Sequence, residues 1–207
     1  MLRTYSVTIV LVAGLLAMGC AKRALVQVPP RVDLHAFGTI GIVEFASESK
    51  GSLAAVATQR FVETMQASQP GVRVLELGKV EGSVRGSGPV DITAIQAIGE
   101  KYGVGAIVVG DLLVEDVRPK IDVYNMLTTM SVSADVDAAL TTRLLETATG
   151  ATVWTRATRA TRTVAQVGVG RGQARFDARD PKSAYGELVD ALVCNVADDF
   201  RVSYVRQ

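Results

Sequence analysis

Over residues 131–145 apolar and polar residues alternate with a period of two, which commits this stretch to a long β-strand with one dry and one wet face. Val132, Ala134, Val136, Ala138, Leu140 and Leu144 fall on the dry face, and Ser133, Asp135, Asp137, Thr141 and Arg143 on the wet one. Thr147-Ala148-Thr149-Gly150 supplies a turn, and residues 151–164 return as an antiparallel partner. A register with Leu144 opposite Val153 sets Leu140 opposite Ala157 and Asp135 opposite Arg162. It also places Trp154 and Arg156 on the wet face, with Arg143 beside Trp154 in a cation–π contact worth ~0.5–1 kcal/mol. Arg156, Arg159 and Arg162 then form an edge-protecting or acid-pairing row rather than an anion site.

Upstream of this hairpin the pattern changes to strands separated by helices. Residues 38–45 form a short apolar, β-branched run that suits a buried strand. Ser52 is a candidate N-cap for a helix through Ala67, with Leu53, Ala54, Ala57, Phe61 and Met65 on one side. Pro70-Gly71 stops it, and residues 72–77 make a second strand. Glycines 78, 82, 86 and 88 mark 78–89 as a surface loop. Asp91 caps a helix over 92–101 that ends at Tyr102-Gly103, and residues 106–110 are a third buried strand. A β-α-β-α-β order implies parallel neighbours joined by right-handed crossovers.

Downstream, residues 167–179 read as irregular and glycine-rich, and Asp180-Pro181 opens a last helix to about Arg201. Tyr185, Leu188, Val189, Leu192, Val196 and Phe200 line its apolar face, while Cys194 falls nearly opposite, beside Glu187, Ala191 and Asp198. The expected architecture is a single α/β sandwich domain with a mixed sheet over 38–207: β-α-β-α-β, a long antiparallel hairpin and a C-terminal helix.

The start of the chain reads as an address. Arg3 precedes an apolar run over 7–18, too short for a bilayer core of ~30 Å but suited to a signal-peptide core. Leu16-Ala17-Met18-Gly19-Cys20 resembles the lipobox of bacterial lipoproteins, with Ala17 where Leu is commoner. That resemblance implies removal of residues 1–19 and a covalent diacylglycerol and N-acyl chain on Cys20, a stable hold on membrane lipid where one chain would be marginal. Ala21 and Lys22 follow with no Asp, which in such lipoproteins favours the periplasmic face of the outer membrane. Residues 20–37, with Pro29-Pro30 and the lone His35, form a short lipidated tether. Cys194 is then the leftover thiol, buried, exposed or in an interchain contact.

Composition removes several function classes. A chain of 207 residues, 48% hydrophobic and 21% charged, suits one globular domain with some extra chain. Lys and Arg number 22 against 21 Asp and Glu, so no basic surplus exists for nucleic acid. Gly168-Val169-Gly170-Arg171-Gly172 lacks the strand, helix and Lys-Ser/Thr ending of a phosphate loop. Gly86-Ser87-Gly88 lacks the strand that leads into a nucleophile elbow. A triad would depend on His35 in the tether, and one His with one thiol cannot close a zinc site. Asp135 with Asp137, and Asp198 with Asp199, are the carboxylate pairs that a periplasmic hydrolase would need to gather in a cleft. No catalytic residue, cofactor, metal or small-molecule substrate is expected.

Several segments together carry a family resemblance: the signal-Cys start, Gly41-Ile42-Val43-Glu44-Phe45, the run Tyr102-Gly103-Val104-Gly105-Ala106-Ile107-Val108-Val109-Gly110-Asp111, and Leu144-Leu145-Glu146-Thr147-Ala148-Thr149-Gly150-Ala151-Thr152-Val153-Trp154. They resemble lipoproteins related to the curli-secretion channel subunit CsgG and the penicillin-binding-protein activator LpoB, whose periplasmic domains are similar to the N-terminal domain of TolB. The resemblance spans roughly 38–201 and implies a non-enzymatic role at the outer membrane. A curli-type channel needs two membrane hairpins per subunit, at about 9–11 residues per strand. Segments 118–129 and 164–176 are each near a dozen residues, enough for about one crossing, which counts against a pore. A tether that reaches at most ~65 Å counts against an activator of a peptidoglycan synthase. The expectation is an accessory or assembly factor that binds envelope proteins or copies of itself through Asp135, Asp137, Arg143, Trp154 and Arg156, and near Cys194. The alternatives are a subunit of a CsgG-like secretion or export assembly and an LpoB-like activator of a peptidoglycan synthase, with a carboxylate-based periplasmic hydrolase last.

Overall fold

The computed structural model describes residues 25–48, 52–80, 86–115, 118–125, 129–170, 173–178 and 181–206. The chain divides into two units, one over Pro30–Arg201 and one made from the segments on either side of it. In the second, strand β1 (Leu25–Val28) pairs antiparallel with β10 (Ser203–Arg206).

The larger unit contains an eight-stranded mixed sheet. Strand β2 (Thr39–Val43) lies between β4 (Arg73–Gly78) and β5 (Ala106–Val114), parallel to both. Strand β5 pairs antiparallel with β7 (Thr129–Glu146), which pairs with β8 (Thr152–Gly170), which pairs with β9 (Gln173–Ala178). Two short additions complete it: β3 (Ala46–Ser47) beside β5, and β6 (Arg118–Asn125) beside β7. The expected α/β sandwich with a mixed sheet is present.

Period-two patterning gives this sheet two cores. Ile40, Ile42, Ala106, Val108, Leu140 and Leu144 face helix α1 (Leu53–Ser68) and helix α3 (Pro181–Ala197), which add Phe61, Met65, Leu188, Leu192 and Val196. Val43, Ile107, Val109 and Leu145 face helix α2 (Ile92–Tyr102), which adds Ile95 and Ile98. Phe45, Phe61, Phe200 and Trp154 form a continuous aromatic chain in the first core, with centroid separations of 5.5, 6.0 and 4.7 Å. Helix α2 begins as expected, with the Asp91 carboxylate accepting from the Ala94 amide, and ends on Gly103 at φ 64°. Ser52 stands at the N-cap of α1 but makes no side-chain cap bond.

Four expectations are corrected. The hairpin register is Leu144 opposite Trp154, Leu140 opposite Thr158, Asp135 opposite Thr163 and Arg143 opposite Thr155, one residue away from the expected set. Leu145 pairs with Thr152, so Val153 is an extra residue in a β-bulge. A one-residue slip moves a whole strand's side chains to the other face. Second, the described residues of 167–179 are not irregular: β8 continues to Gly170 and pairs antiparallel with β9 over Gln173–Ala178, while 171, 172 and 179 lie outside the described residues. Third, the segment expected as tether joins the fold before residue 38. Leu34 is fully buried, and its amide donates to Gln69 Oε1 at 2.9 Å. Gln69 Nε2 in turn donates to the Val32 and Phe200 carbonyls at 2.7 and 3.1 Å. The last α-helix also stops at Ala197, before a 3-10 turn over Asp198–Phe200.

Candidate functional site

The bulge at Val153 decides what the long hairpin offers to solvent. Trp154 is buried at 8% exposure, and its indole Nε1 donates to Asp199 Oδ2 at 3.0 Å. Arg156, two residues on and on the same face, meets Asp199 Oδ1 at 2.6 Å, and Arg31 reaches the same oxygen at 3.3 Å. The Asp199 carbonyl also accepts from the Arg31 and Val32 amides. Burial pushes the Asp199 carboxyl up, but hydrogen bonds from Arg156, Trp154 and Arg31 outweigh it and hold the group below the ordinary carboxylate range. Trp154 and Arg156 are therefore inward groups that clamp the 3-10 turn and residues 31–32 to the sheet. The expected exposed-face Trp is corrected, and with it the Arg143–Trp154 cation–π contact.

Asp135, Asp137 and Arg143 do share the outer face of β7, half-buried, and each is occupied within the chain. Asp135 accepts from Thr163 Oγ1 at 2.7 Å, Asp137 accepts from Thr161 Oγ1, and Arg118 Nη1 lies 3.8 Å from Asp137. Arg143 Nη1 donates to the Gly88 carbonyl at 2.8 Å, tying the 86–88 loop to the sheet. Arg162 is not opposite Asp135 but near Glu187 of α3, at 3.9 Å. Cys194 is exposed on α3, with Arg201 Nη2 3.9 Å from its sulfur. Cys20 lies outside the described residues.

A cavity of about 380 Å³ opens beside the ends of β2 and β4, lined by Ile42, Glu44, Ala55, Thr58, Gln59, Glu76 and Gly78. It gathers Glu44 and Glu76 rather than the Asp135/Asp137 or Asp198/Asp199 pairs. Among the described residues no group of three or more His, Cys, Asp or Glu could hold a metal.

The strongest pattern lies where β7 and β8 extend past their expected limits. There β6, β7, β8 and β9 pair in one continuous register that reads as rows. Ile121, Val132, Val167 and Phe176 form one row, Val123, Met130, Val169 and Ala174 another, and Pro119, Ala134, Ala165 and Ala178 a third. The alternate rows are Lys120, Ser133, Gln166 and Asp177, and Asp122, Ser131, Gly168 and Arg175. By register the rows alternate in composition, apolar in the first three and polar or glycine in the other two. On β7 the apolar rows have the parity of Val136, Ala138 and Leu140, which are buried in the helix-covered core.

Segments 118–129 and 164–176 were each expected to supply about one strand. The structure places 118–125 in β6, paired with the start of the 18-residue β7, and divides 164–176 between the end of the 19-residue β8 and its partner β9. The signal was present in the sequence: alternation over 119–123 and 165–169 repeats the alternation of 131–145.

No family model matches the chain, and no curated protein matches it. Among solved structures, it is similar to the PelC dodecamer subunit from Paraburkholderia phytofirmans (17% identity, 86% of this chain and 96% of that one, TM-score 0.43). It is also similar to the lipoprotein GNA1162 from Neisseria meningitidis (17% identity, 77% and 98%, TM-score 0.35). A third is the LpoB C-terminal domain from Salmonella enterica (11% identity, 60% and 83%, TM-score 0.35). The likeness is one of general arrangement.

Proposed function

We propose that this chain is a non-enzymatic, lipid-anchored envelope protein that assembles with copies of itself in the outer membrane, seating the four-stranded sheet of β6–β9 against lipid. The observation that carries this is the row pattern. Strict apolar and polar alternation, in register across four neighbouring strands, is what a bilayer on one side and water on the other require. On a soluble core the apolar face is covered by helices, and here the helices' principal contacts fall on β2, β3, β5, β7 and β8 rather than on β6 or β9, the outer strands of this sheet.

Size and edges then specify the assembly. Strand β6 has eight residues and β9 has six, against about 9–11 for a complete tilted crossing, so the described arms account for most of one crossing. Strand β6 pairs with β7 on one side and β9 with β8 on one side, leaving an outer edge on each. An open edge in hydrocarbon strands several backbone groups at several kcal/mol each, so insertion demands that β9 of one copy meet β6 of the next. Such head-to-tail contacts form a ring when the rotation between copies closes, and only a closed ring leaves no bare edge in the bilayer. Cys20 acylation holds the chains at the periplasmic face while this occurs. In this reading the partners are membrane lipid and second copies, with no nucleic acid, cofactor or small-molecule substrate. Among the described residues no helix is long and apolar enough to cross a membrane, which leaves strands unaddressed.

The test is the mass of the full lipidated protein extracted in mild detergent, with paired cysteines on β6 and β9 crosslinked in cells lacking Cys194. A defined homo-oligomer joined through β6–β9 crosslinks is expected. A monomer in detergent refutes the assembly, and a single crosslinked partner of different mass replaces it with a heteromeric accessory factor.

A further inference from the structure

The β1–β10 ribbon has a composition that water does not favour. Leu25 to Val28 and Ser203 to Val205 are all exposed, with Leu25 at 64%, Tyr204 at 65% and Val205 at 50%. The register pairs Val26 directly with Val205 and Gln27 with Tyr204, so one face carries Val26, Val28 and Val205 and the other Leu25 and Tyr204. An isolated two-stranded ribbon is marginal in water. With apolar residues on both faces, it calls for a cover on each side rather than a core on one.

Its place in the chain limits what that cover can be. Leu25 follows Cys20 by five residues, a reach of at most ~18 Å at 3.3–3.6 Å per residue. With Cys20 acylated, the ribbon cannot leave the neighbourhood of the bilayer surface. Lys22 and Arg23 stand between the two, and Arg206 ends the second strand, so basic groups flank the apolar ones. An amphipathic Tyr, aliphatic residues and flanking bases are the mixture that settles at the headgroup boundary of anionic membranes.

We propose that the β1–β10 ribbon is a second membrane attachment, lying in the interface beside the acyl chains of Cys20 with its bases on anionic phospholipid headgroups. The inference rests on the lipid-anchor part of the function proposed above, and is independent of insertion by β6–β9. It gives the acylated end a fixed structure at the membrane instead of a free leash.

The test uses the full mature chain as Cys20→Ser, Cys194→Ser, with an environment-sensitive fluorophore on Ser203→Cys. The probe is titrated with vesicles of phosphatidylethanolamine and phosphatidylglycerol. A blue shift at Ser203 is expected, lost in Val205→Asp and in vesicles of neutral lipid alone, with no shift from the same label on the exposed helix position Gln59→Cys. Circular dichroism confirms that Val205→Asp, an exposed site, leaves the fold in place. A probe at Val132→Cys, in an apolar row, reports the β6–β9 sheet separately. Silence at 203 with a response at 132 overturns the ribbon proposal alone, and the reverse overturns sheet insertion alone. A shift at 203 that follows protein concentration without vesicles means the ribbon is covered by a second copy, and also overturns the proposal.

Discussion

Replacing Asp199 with alanine removes the acceptor on which Trp154, Arg156 and Arg31 converge. The three contacts are unequal. Arg31 has a side chain 80% exposed, so its 3.3 Å pair contributes little beyond ~0–1 kcal/mol after solvent screening. The Trp154 N–H is buried and would be left without its acceptor, a cost of about 1–3 kcal/mol. Arg156 is 32% exposed on its side chain and can regain some water, which puts its loss below the ~3–5 kcal/mol of a fully buried broken pair. Together these predict a destabilisation of about 2–4 kcal/mol, or a Tm lower by ~5–15 °C in a unit of this size. Urea denaturation of the Cys20→Ser form, with and without the substitution, reads it directly. The carboxyl is held below its ordinary value when folded, so its contribution is complete above the unfolded value near ~4. It fades as pH falls through the folded value, and wild type and Asp199→Ala should converge there. A loss under ~1 kcal/mol at neutral pH would show that water, not the Trp154–Arg156 clamp, satisfies Asp199.

Other substitutions probe the packing independently. Phe61→Ala, at 0% exposure between Phe45 and Phe200, should cost ~3–5 kcal/mol in the same denaturation assay. Gly86→Ala would set a Cβ 2.7 Å from the Asp111 amide and the Thr141 carbonyl, so a loss of about 1–3 kcal/mol and faster proteolysis of the 86–88 loop are expected. Cys194 should react with a maleimide in the native protein at close to the rate of the unfolded chain, with no change in thermal stability.

Long periodic segments were legible in the sequence, and local insertions were not. The β-α-β-α-β order, the Asp91 cap and the dry face of β7 all follow from periods of 2 and 3.6 that tertiary packing reinforces. The Val153 bulge left no mark, because the alternation of Val153 with Trp154 reads equally well in either register. Only the pull of Asp199 on the Trp154 indole and the Arg156 guanidinium identifies the face. Residues 31–34 looked like tether because a short run has no period. They are held by Gln69 and Asp199, partners distant in sequence. The β6–β7 and β8–β9 pairings were hidden by counting 118–129 and 164–176 as single strands, when β7 and β8 run past their expected limits to pair with β6 and β9. Trp154 and Arg156 left the candidate surface for the same reason that the four-stranded sheet entered it: pairing register fixes faces.

A cysteine scan of β7 and β8 through 130–134 and 165–168 tests the central claim most directly. It would keep Cys20, replace Cys194 with serine, and read labelling by a water-soluble maleimide in membranes. Alternate protection is predicted, with Met130, Val132, Ala134, Ala165 and Val167 shielded and Ser131, Ser133, Gln166 and Gly168 reactive. Even labelling along both strands would contradict it.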